Sequence, residues 1–244
     1  MVEIRHDSME TTSDTQEGYN EIYREGGLLQ RDSFYLWLLH LLNPQPGRLL
    51  LDISCGIGKL VSFAQRQGMR AIGVDFAWEA IRSGKGECPE AGWAVSDGEL
   101  LPVATASVDY VTHIGSLEHY QNPAKGLREI ARVLKPTGKV CILLPNTYGL
   151  FGNIKHVLQT GDVFDDGQPL QRYNTRQGWH NMMVDSRLRP YKTLKYEREW
   201  PYTIPDFLWY LRSPKKLMRL FVSWFIPVNL SNCLVYLCDR EDET

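Results

Sequence analysis

Three aspartates stand at the ends of short apolar segments: Asp52, Asp75 and Asp97. A carboxylate accepts hydrogen bonds, so these residues could bind ribose hydroxyls or the amino group of an adenine ring. Asp75 follows Asp52 at about the 20-residue interval at which an acid binds ribose in dinucleotide sites. The spacing therefore indicates a site for a nucleotide-like ligand.

A turn with two glycines follows Asp52 within residues 49–60, LLLDISCGIGKL. Gly56 and Gly58 have no side chain, so the backbone can pass close to a ligand there. The G-x-G-x-x-G pattern of dinucleotide sites does not fit, because Val61 stands where a small residue is required. The turn therefore favours another kind of nucleotide-like ligand.

A parallel sheet is needed to bring these residues together. Five segments have the length and apolar character of buried strands: 48–54, 70–75, 92–97, 107–115 and 139–145. Helices are predicted between them at 58–67, 78–83 and 123–134. Alternation of this kind predicts a parallel sheet with helices on both faces, and ligands bind at the carboxyl ends of its strands.

Four motifs in this region resemble those of class I S-adenosylmethionine-dependent methyltransferases. Residues 52–58 resemble the D-x-G-x-G-x-G signature, with Ser54 in place of the first glycine, and residues 97–102 resemble D-x-x-x-L-P. The segments L-E-H at 117–119 and R-V-L-K-P-T-G at 132–138 are similar to methyltransferases grouped with ubiquinone and menaquinone biosynthesis. The resemblance covers about residues 47–146.

The resemblance implies an α/β fold with a doubly wound, mostly parallel seven-stranded sheet, Rossmann-like, with helical cap elements. It implies S-adenosyl-L-methionine as cofactor and no metal. Asp75 would bind the ribose, Phe76 would cover the adenine, and Asp97 would accept from its amino group beside the amides of Gly98 and Glu99. The implied cofactor-binding residues are Asp52, Ser54, Gly56, Gly58, Asp75, Phe76, Asp97, Gly98, Glu99, Ile114 and Gly115.

Methyl transfer requires alignment of the acceptor and, for some acceptors, removal of a proton. His119 follows the fourth strand, where the family places the methyl group, and imidazole titrates near physiological pH. A second interpretation is that His119 only braces its loop. Asp165 and Asp166 are the alternative carboxylates.

Segments outside the minimal core should build the acceptor pocket. We predict a disordered leader at 1–17 and a single domain at 18–244. Within that domain, cap helices at 18–46 precede a cofactor-binding core at 47–146, and acceptor-site insertions lie at 146–174 and 200–227. The candidate acceptor-binding residues are Tyr19, Tyr23, Tyr148, Asp166, Arg172 and Tyr173.

Charge and cysteine content limit the partners. The net charge of −2 argues against a nucleic-acid partner. The five cysteines are scattered without metal-ligand spacing, which is typical of free thiols in a reducing compartment and favours a cytoplasmic protein. We expect a small-molecule acceptor, no integral membrane segment, and a monomer or homodimer.

The function predicted from the sequence is methyl transfer to a small molecule, with a hydroxyl oxygen preferred over nitrogen or carbon. Two alternatives stay open. One is a catalytically silent S-adenosylmethionine-binding protein, which only Ser54 supports. The other acts on a lipid-linked acceptor through peripheral membrane contact, because basic residues at 212–219 adjoin an apolar run. A buried cap helix with a solvated basic face is the expectation that we prefer there.

Overall fold

The computed structural model describes residues 1–5 and 12–241, and the side chains of residues 12–14 are outside that description. The strands are β1 (Val2–Arg5), β2 (Leu49–Ile53), β3 (Arg70–Asp75), β4 (Gly92–Val95), β5 (Val108–Ile114), β6 (Leu134–Pro145), β7 (Leu170–Tyr173), β8 (Leu188–Tyr196) and β9 (Cys233–Arg240). The helices are α1 (Thr12–Arg24), α2 (Asp32–Leu42), α3 (Lys59–Arg66), α4 (Trp78–Glu87), α5 (Pro123–Val133), α6 (Lys155–Thr160), α7 (Arg176–Asp185), α8 (Ile204–Leu211) and α9 (Pro214–Ser223). Short helical turns cover Leu117–His119, Leu150–Ile154 and Val228–Leu230.

Seven strands form one sheet in the order β4-β3-β2-β5-β6-β9-β8. Strands β2 to β6 pair in parallel, whereas β9 is antiparallel to both β6 and β8. This arrangement confirms the prediction of a mostly parallel, seven-stranded, doubly wound sheet.

Both faces of the sheet are covered, which is why its central strands are apolar throughout. On one face, α5 and α7 contribute Leu127, Ile130 and Trp179 to the core. On the other face, α2 and α3 contribute Leu38 and Val61. The apolar runs of the sequence reflect this burial on two sides.

The end of the sheet that carries the strand carboxyl termini also holds two long insertions. Pro145 at the end of β6 pairs with Cys233 at the start of β9, and Cys233 pairs with Tyr196 at the end of β8. Residues 146–169 and 197–232 therefore leave the sheet at the edge where ligands bind in such folds.

The N-terminal segment differs from the prediction of a disordered leader at 1–17. Strand β1 pairs antiparallel with β7, from Val2 opposite Tyr173 to Arg5 opposite Leu170, and residues 12–17 belong to α1. The prediction is wrong for these residues, because β1 has a partner that lies far along the chain. Residues 6–11 lie outside the described part. The remaining predicted boundaries, at 18–46, 47–146, 146–174 and 200–227, stay predictions.

Candidate active site

A cleft of about 280 Å³ opens beside the carboxyl ends of the parallel strands. Its walls combine aromatic side chains, acids and glycines. The lining residues are Thr15, Tyr19, Tyr23, Leu28, Ser54, Asp75, Phe76, Asp97, Gly98, Glu99, Gly115, Ser116, His119, Tyr120, Gln121 and Gln168. They come from α1 and the segment after it, from the loops after β2, β3, β4 and β5, and from the loop before β7, so the topology brings distant parts of the chain together here.

Asp75 is held at the cleft wall by backbone amides. Its carboxylate accepts from the Gly56 amide at 2.8 Å and from the Ala77 amide at 2.9 Å. Burial raises the pKa of Asp75 to about 6 against the lowering effect of these amides. Each carboxylate oxygen retains acceptor capacity beyond one amide. Asp75 could therefore also accept hydrogen bonds from a ligand, while its amide bonds fix its orientation.

The two glycines of the turn after β2 lie next to aromatic rings. Gly58 has φ +73°, and a Cβ there would lie 2.1 Å from the indole ring of Trp93. Gly56 has φ +54°, and a Cβ there would lie 3.0 Å from the hydroxyl of Tyr23. Neither glycine is among the residues lining the cleft, and the predicted approach of a ligand to their backbone stays a prediction.

Asp52 and Ile114 lie behind the cleft wall, although both were predicted to bind the cofactor. The Asp52 carboxylate accepts from Thr112 Oγ1 at 2.6 Å. Burial raises the pKa of Asp52 to about 7. Ile114, at the end of β5, packs against the core on the α2 and α3 face of the sheet. Both positions support the wall from within.

The loop after β4 places Asp97, Gly98 and Glu99 at the cleft. Asp97 Oδ1 accepts from the Glu99 amide at 2.8 Å. The Glu99 carboxylate accepts from the Asn122 amide at 2.7 Å, at the start of α5. The Glu99 amide thus donates to Asp97 here, and the expectation that it meets a ligand ring stays a prediction. The Gly98 amide stays a candidate.

Tyr120 was missed by the sequence analysis, although it directly follows the L-E-H motif. Its hydroxyl lies 2.9 Å from Ser54 Oγ and 2.9 Å from His113 Nε2. Burial lowers the pKa of His113 to about 3 and raises that of Tyr120, so both groups are neutral. Ser54 has φ +54°, a backbone conformation that favours glycine. The hydroxyl of Ser54 can hydrogen-bond to Tyr120, which a glycine at this position could not do.

His119 lies at the cleft with a defined orientation. Its Nδ1 lies 2.5 Å from the carbonyl oxygen of Leu170. A carbonyl only accepts, so Nδ1 carries a proton and Nε2 of the neutral ring is an acceptor. Nε2 is 3.9 Å from Glu118 Oε1. Burial raises the pKa of Glu118 to about 6, and its Oε2 is buried without a hydrogen-bond partner.

Two tyrosines of α1, Tyr19 and Tyr23, line the cleft. The hydroxyl of Tyr19 donates to Gln168 Oε1 at 3.2 Å, which connects α1 to the loop before β7. Burial raises the pKa of both Tyr19 and Tyr23, so both remain neutral. Of the six candidate acceptor-binding residues, these two line the cleft.

The other four candidates lie elsewhere. Arg172 is buried, donates to Glu3 at 2.8 Å and to the carbonyl oxygens of Tyr120 and Gln121, and so braces the β1–β7 ribbon. Tyr173 is buried in the same ribbon and Tyr148 is exposed, and neither lines the cleft. Asp166 accepts from the amide and the side chain of Gln168.

The remaining carboxylate candidate, Asp165, accepts from the Gly167 amide at 2.8 Å in the same loop. Neither Asp165 nor Asp166 is a lining residue. The part of the chain that the structure describes holds no group of three or more histidines, cysteines or acids that could bind a metal ion. In the same described residues, no helix is long and apolar enough to cross a membrane.

Comparison with known proteins supports the interpretation of this cleft. Residues 51–142 match the model of a family described as a methyltransferase domain. A demethylmenaquinone methyltransferase from Corynebacterium kroppenstedtii is 32% identical over 41% of this chain and 43% of its own length. A ubiquinone biosynthesis O-methyltransferase from Paracidovorax citrulli is 35% identical over 41% of this chain and 44% of its own length. The chain thus spans less than half of these two relatives.

The fold is also similar to solved structures. A TehB-like S-adenosylmethionine-dependent methyltransferase from Corynebacterium glutamicum superposes with a TM-score of 0.56 at 14% identity, covering 94% of this chain and 97% of that one. These findings confirm the resemblance drawn from the sequence, including the family's cofactor, S-adenosyl-L-methionine. Residues 51–142 thus match a methyltransferase domain, and the fold around them is the Rossmann-like fold of class I S-adenosylmethionine-dependent methyltransferases.

Proposed function

We propose that the protein transfers a methyl group from S-adenosylmethionine to a small molecule, preferring a hydroxyl oxygen over nitrogen or carbon. The observation that carries the proposal is the convergence of Asp75, Asp97 and His119 on one cleft. The two acids offer acceptors for the polar groups of an adenosyl ligand. The histidine offers an imidazole at the same cleft.

The residues of the cleft fit the proposed cofactor. Asp75 has acceptor capacity left for ribose hydroxyls, and the ring of Phe76 beside it offers an aromatic face for adenine. Asp97, at the next strand end, offers an acceptor for the adenine amino group. When bound, S-adenosylmethionine supplies a methyl group on a sulfonium, an electrophile with a neutral leaving group.

The protein's contribution is alignment and exclusion of water. Orientation of two reactants can lower a barrier by about 7–11 kcal/mol. Tyr19 and Tyr23 line the cleft, and the bond between Tyr19 and Gln168 connects α1 to the loop before β7. This enclosure favours an acceptor held between α1 and the loop before β7.

His119 supports the preference for a hydroxyl acceptor. With Nδ1 donating to Leu170, Nε2 is the atom that could take the acceptor proton as the new bond forms. A hydroxyl must lose that proton, and a carboxylate partner such as Glu118 would stabilise the resulting imidazolium. The oxygen specificity printed for the Paracidovorax citrulli relative agrees with this preference. The alternative is that His119 only braces its loop, and substitution of His119 by asparagine and by alanine distinguishes the two roles.

A titration and a transfer assay test the proposal together. Isothermal titration should show S-adenosylhomocysteine binding with a Kd on the order of micromolar and no NADH binding. Incubation with methyl-labelled S-adenosylmethionine should then label small phenols and quinols in preference to amines. Tight NADH binding without an S-adenosylhomocysteine signal contradicts the cofactor, and labelling of amines alone contradicts the oxygen preference. Binding of S-adenosylhomocysteine without transfer to any acceptor would favour the silent binding protein.

A second acceptor class, a lipid-linked molecule at a membrane surface, is favoured by one specific observation. Helices α8 and α9 expose apolar side chains that the sequence analysis expected to be buried, and both belong to the insertion at the ligand-binding edge of the sheet.

A further inference from the structure

Helix α8 turns its apolar stripe toward solvent. Ile204, Phe207, Leu208 and Leu211 recur at the spacing of one helix face, and each is exposed, Ile204 by 77%. The opposite side of the helix is buried and contains polar groups. There, Asp206 accepts from the Ser33 amide at 2.9 Å. The orientation is the reverse of that of an ordinary surface helix, whose apolar stripe faces the core.

Helix α9 and the residues directly after it repeat this arrangement. Met218, Phe221, Trp224 and Phe225 are exposed, Phe221 by 66% and Phe225 by 71%. Leu220 and Ser223 form the buried side. We call the two exposed stripes together the α8–α9 patch. Helices α8 and α9 contact each other, and exposed apolar residues that align on two adjacent helices indicate an interaction site.

Basic residues adjoin the α8–α9 patch. Arg212, Lys215, Lys216 and Arg219 follow one another along the chain there, and the sequence contains no aspartate or glutamate from 207 to 238. Arg212 and Lys215 are exposed, whereas Lys216 lies 3.7 Å above the Trp209 ring. The chain as a whole has a net charge of −2, so this positive surface is local.

Apolar side chains with interleaved lysine and arginine are the features of helices that lie in the interface of an anionic bilayer. Trp224 adds the aromatic type that prefers the headgroup level. A second copy of this chain fits less well, because a two-fold contact would bring the same basic residues together.

The α8–α9 patch is also positioned near the cleft. The insertion that contains it leaves the sheet at the carboxyl edge of the parallel strands. Arg31, which pairs with Asp206 at 3.0 Å, is in the same connecting segment as Leu28, a residue of the cleft wall. Leu28 and Leu29 are themselves exposed.

We propose that the α8–α9 patch binds the surface of an anionic phospholipid bilayer and holds the cleft close to acceptors with lipid tails. The acceptor class, a molecule with a lipid tail, rests on the proposed function of methyl transfer. Binding to the bilayer itself requires neither cofactor nor turnover.

Co-sedimentation of the full chain with vesicles tests the proposal. The protein should bind vesicles of phosphatidylcholine that contain roughly 30–40% phosphatidylglycerol, because an anionic surface attracts basic residues. It should bind vesicles of pure phosphatidylcholine at least about tenfold more weakly. Raising the salt concentration to about 1 M should weaken the binding, since exposed charges are then screened within about 3 Å.

Two double variants separate the apolar contribution to vesicle binding from the electrostatic contribution. Phe221→Ser with Phe225→Ser should reduce binding to anionic vesicles by at least about tenfold, because the buried apolar area is lost. Arg212→Ser with Lys215→Ser should reduce the binding to anionic vesicles by a similar factor, because each basic residue near an anionic surface contributes about 1 kcal/mol to binding. Val184→Ser, an exposed apolar residue of α7, should bind as the unchanged protein does.

Each variant is first titrated with S-adenosylhomocysteine, and an affinity equal to that of the unchanged protein shows that it is folded. Absence of binding to both vesicle types overturns the proposal, whatever the result of the transfer assay. Equal binding to both vesicle types overturns the anionic partner. A dimer in gel filtration that Phe221→Ser with Phe225→Ser dissociates, without vesicle binding, would show that the patch is a contact between copies of the chain.

Discussion

The imidazole of His119 donates from Nδ1 to the carbonyl oxygen of Leu170 across 2.5 Å. Leu170 begins β7, so this bond joins the loop after β5 to the β1–β7 ribbon. One contact thus fixes the tautomer of the candidate base and braces the wall of the cleft. The two roles predict different outcomes for two substitutions.

If Nε2 of His119 takes the acceptor proton, His119→Asn should lower kcat by about 10²–10⁴-fold. The asparagine amide can donate a hydrogen bond to Leu170 but cannot act as a base, so the affinity for S-adenosylhomocysteine and the Tm should stay near their original values. Steady-state kinetics and thermal denaturation measure these quantities. An active His119→Asn variant with an inactive His119→Ala variant would show that His119 braces the loop only.

Asp75 should carry much of the cofactor affinity. Asp75→Ala removes the proposed ribose acceptor and should weaken S-adenosylhomocysteine binding by about 1.5–3 kcal/mol, the range for hydrogen bonds to a charged group. Asp185→Ala, a change of an exposed acid on α7, is the matched control and should leave the affinity unchanged. Isothermal titration measures both. An unaltered Kd for Asp75→Ala would assign the ribose to another group.

The buried carboxyl of Asp52 should make stability depend on pH. Its pKa of about 7 in the folded protein lies above the usual value, so the stability that it contributes is present at low pH and is lost as the pH rises toward 7. The stability of Asp52→Asn relative to the unchanged protein should therefore rise by roughly 1.4 kcal/mol per pH unit between about pH 5 and 7, and then level off. Urea denaturation at several pH values measures it, with Asp185→Asn as control. A difference in stability that does not change with pH would mean that the buried Asp52 carboxyl ionises at little cost in free energy.

The sequence predicted the sheet and the strand-end acids because both depend on local patterns. Asp75 and Asp97 each follow an apolar run, and the parallel topology then brings them to one edge. It did not predict β1, because the pairing of Val2 with Tyr173 has no local signal. The role of Arg172 was not predicted either. Its aromatic neighbours in sequence suggested a ligand pocket, whereas its ion-pair partner, Glu3, lies near the N-terminus.

The orientation of α8 and α9 shows a different limit. A repeat of apolar residues such as Ile204, Phe207 and Leu211 establishes that they share a helix face, but not whether that face meets the core or solvent. The contacts of Asp206 with Ser33 and Arg31 determine the orientation, and they join residues that are far apart in sequence. Tyr120 was missed for a similar reason, since Ser54 and His113 meet it only in the fold.

Tyr120 should be coupled energetically to Ser54. Tyr120→Phe leaves His113 Nε2 without its partner, while Nδ1 of the same ring is already buried and unpaired. An unsatisfied buried group costs about 1–3 kcal/mol, so the free energy of unfolding should fall by that amount. Ser54→Gly should change stability less, because relief of the positive φ offsets the lost hydrogen bond.

A double-mutant cycle of Ser54→Gly and Tyr120→Phe measures the coupling by urea denaturation. We expect an interaction energy of about 0.5–3 kcal/mol, typical of residues in one hydrogen-bond network. Additive effects would show that the 2.9 Å contact between the two hydroxyls contributes nothing to stability.

Closure of the cleft should be visible by hydrogen exchange. The bond between Tyr19 and Gln168 joins α1 to the loop before β7, and both residues line the cleft. Ligands that contact both sides should therefore slow amide exchange in residues 15–24 and 161–169 when S-adenosylhomocysteine and an acceptor bind together. Residues 176–185 of α7, on the covered face of the sheet, should exchange at the same rate in both states. Tyr19→Phe removes the bond and should reduce the protection of residues 161–169. Equal exchange of these residues in the free and the fully bound protein would mean that the loop before β7 takes no part in closing the cleft.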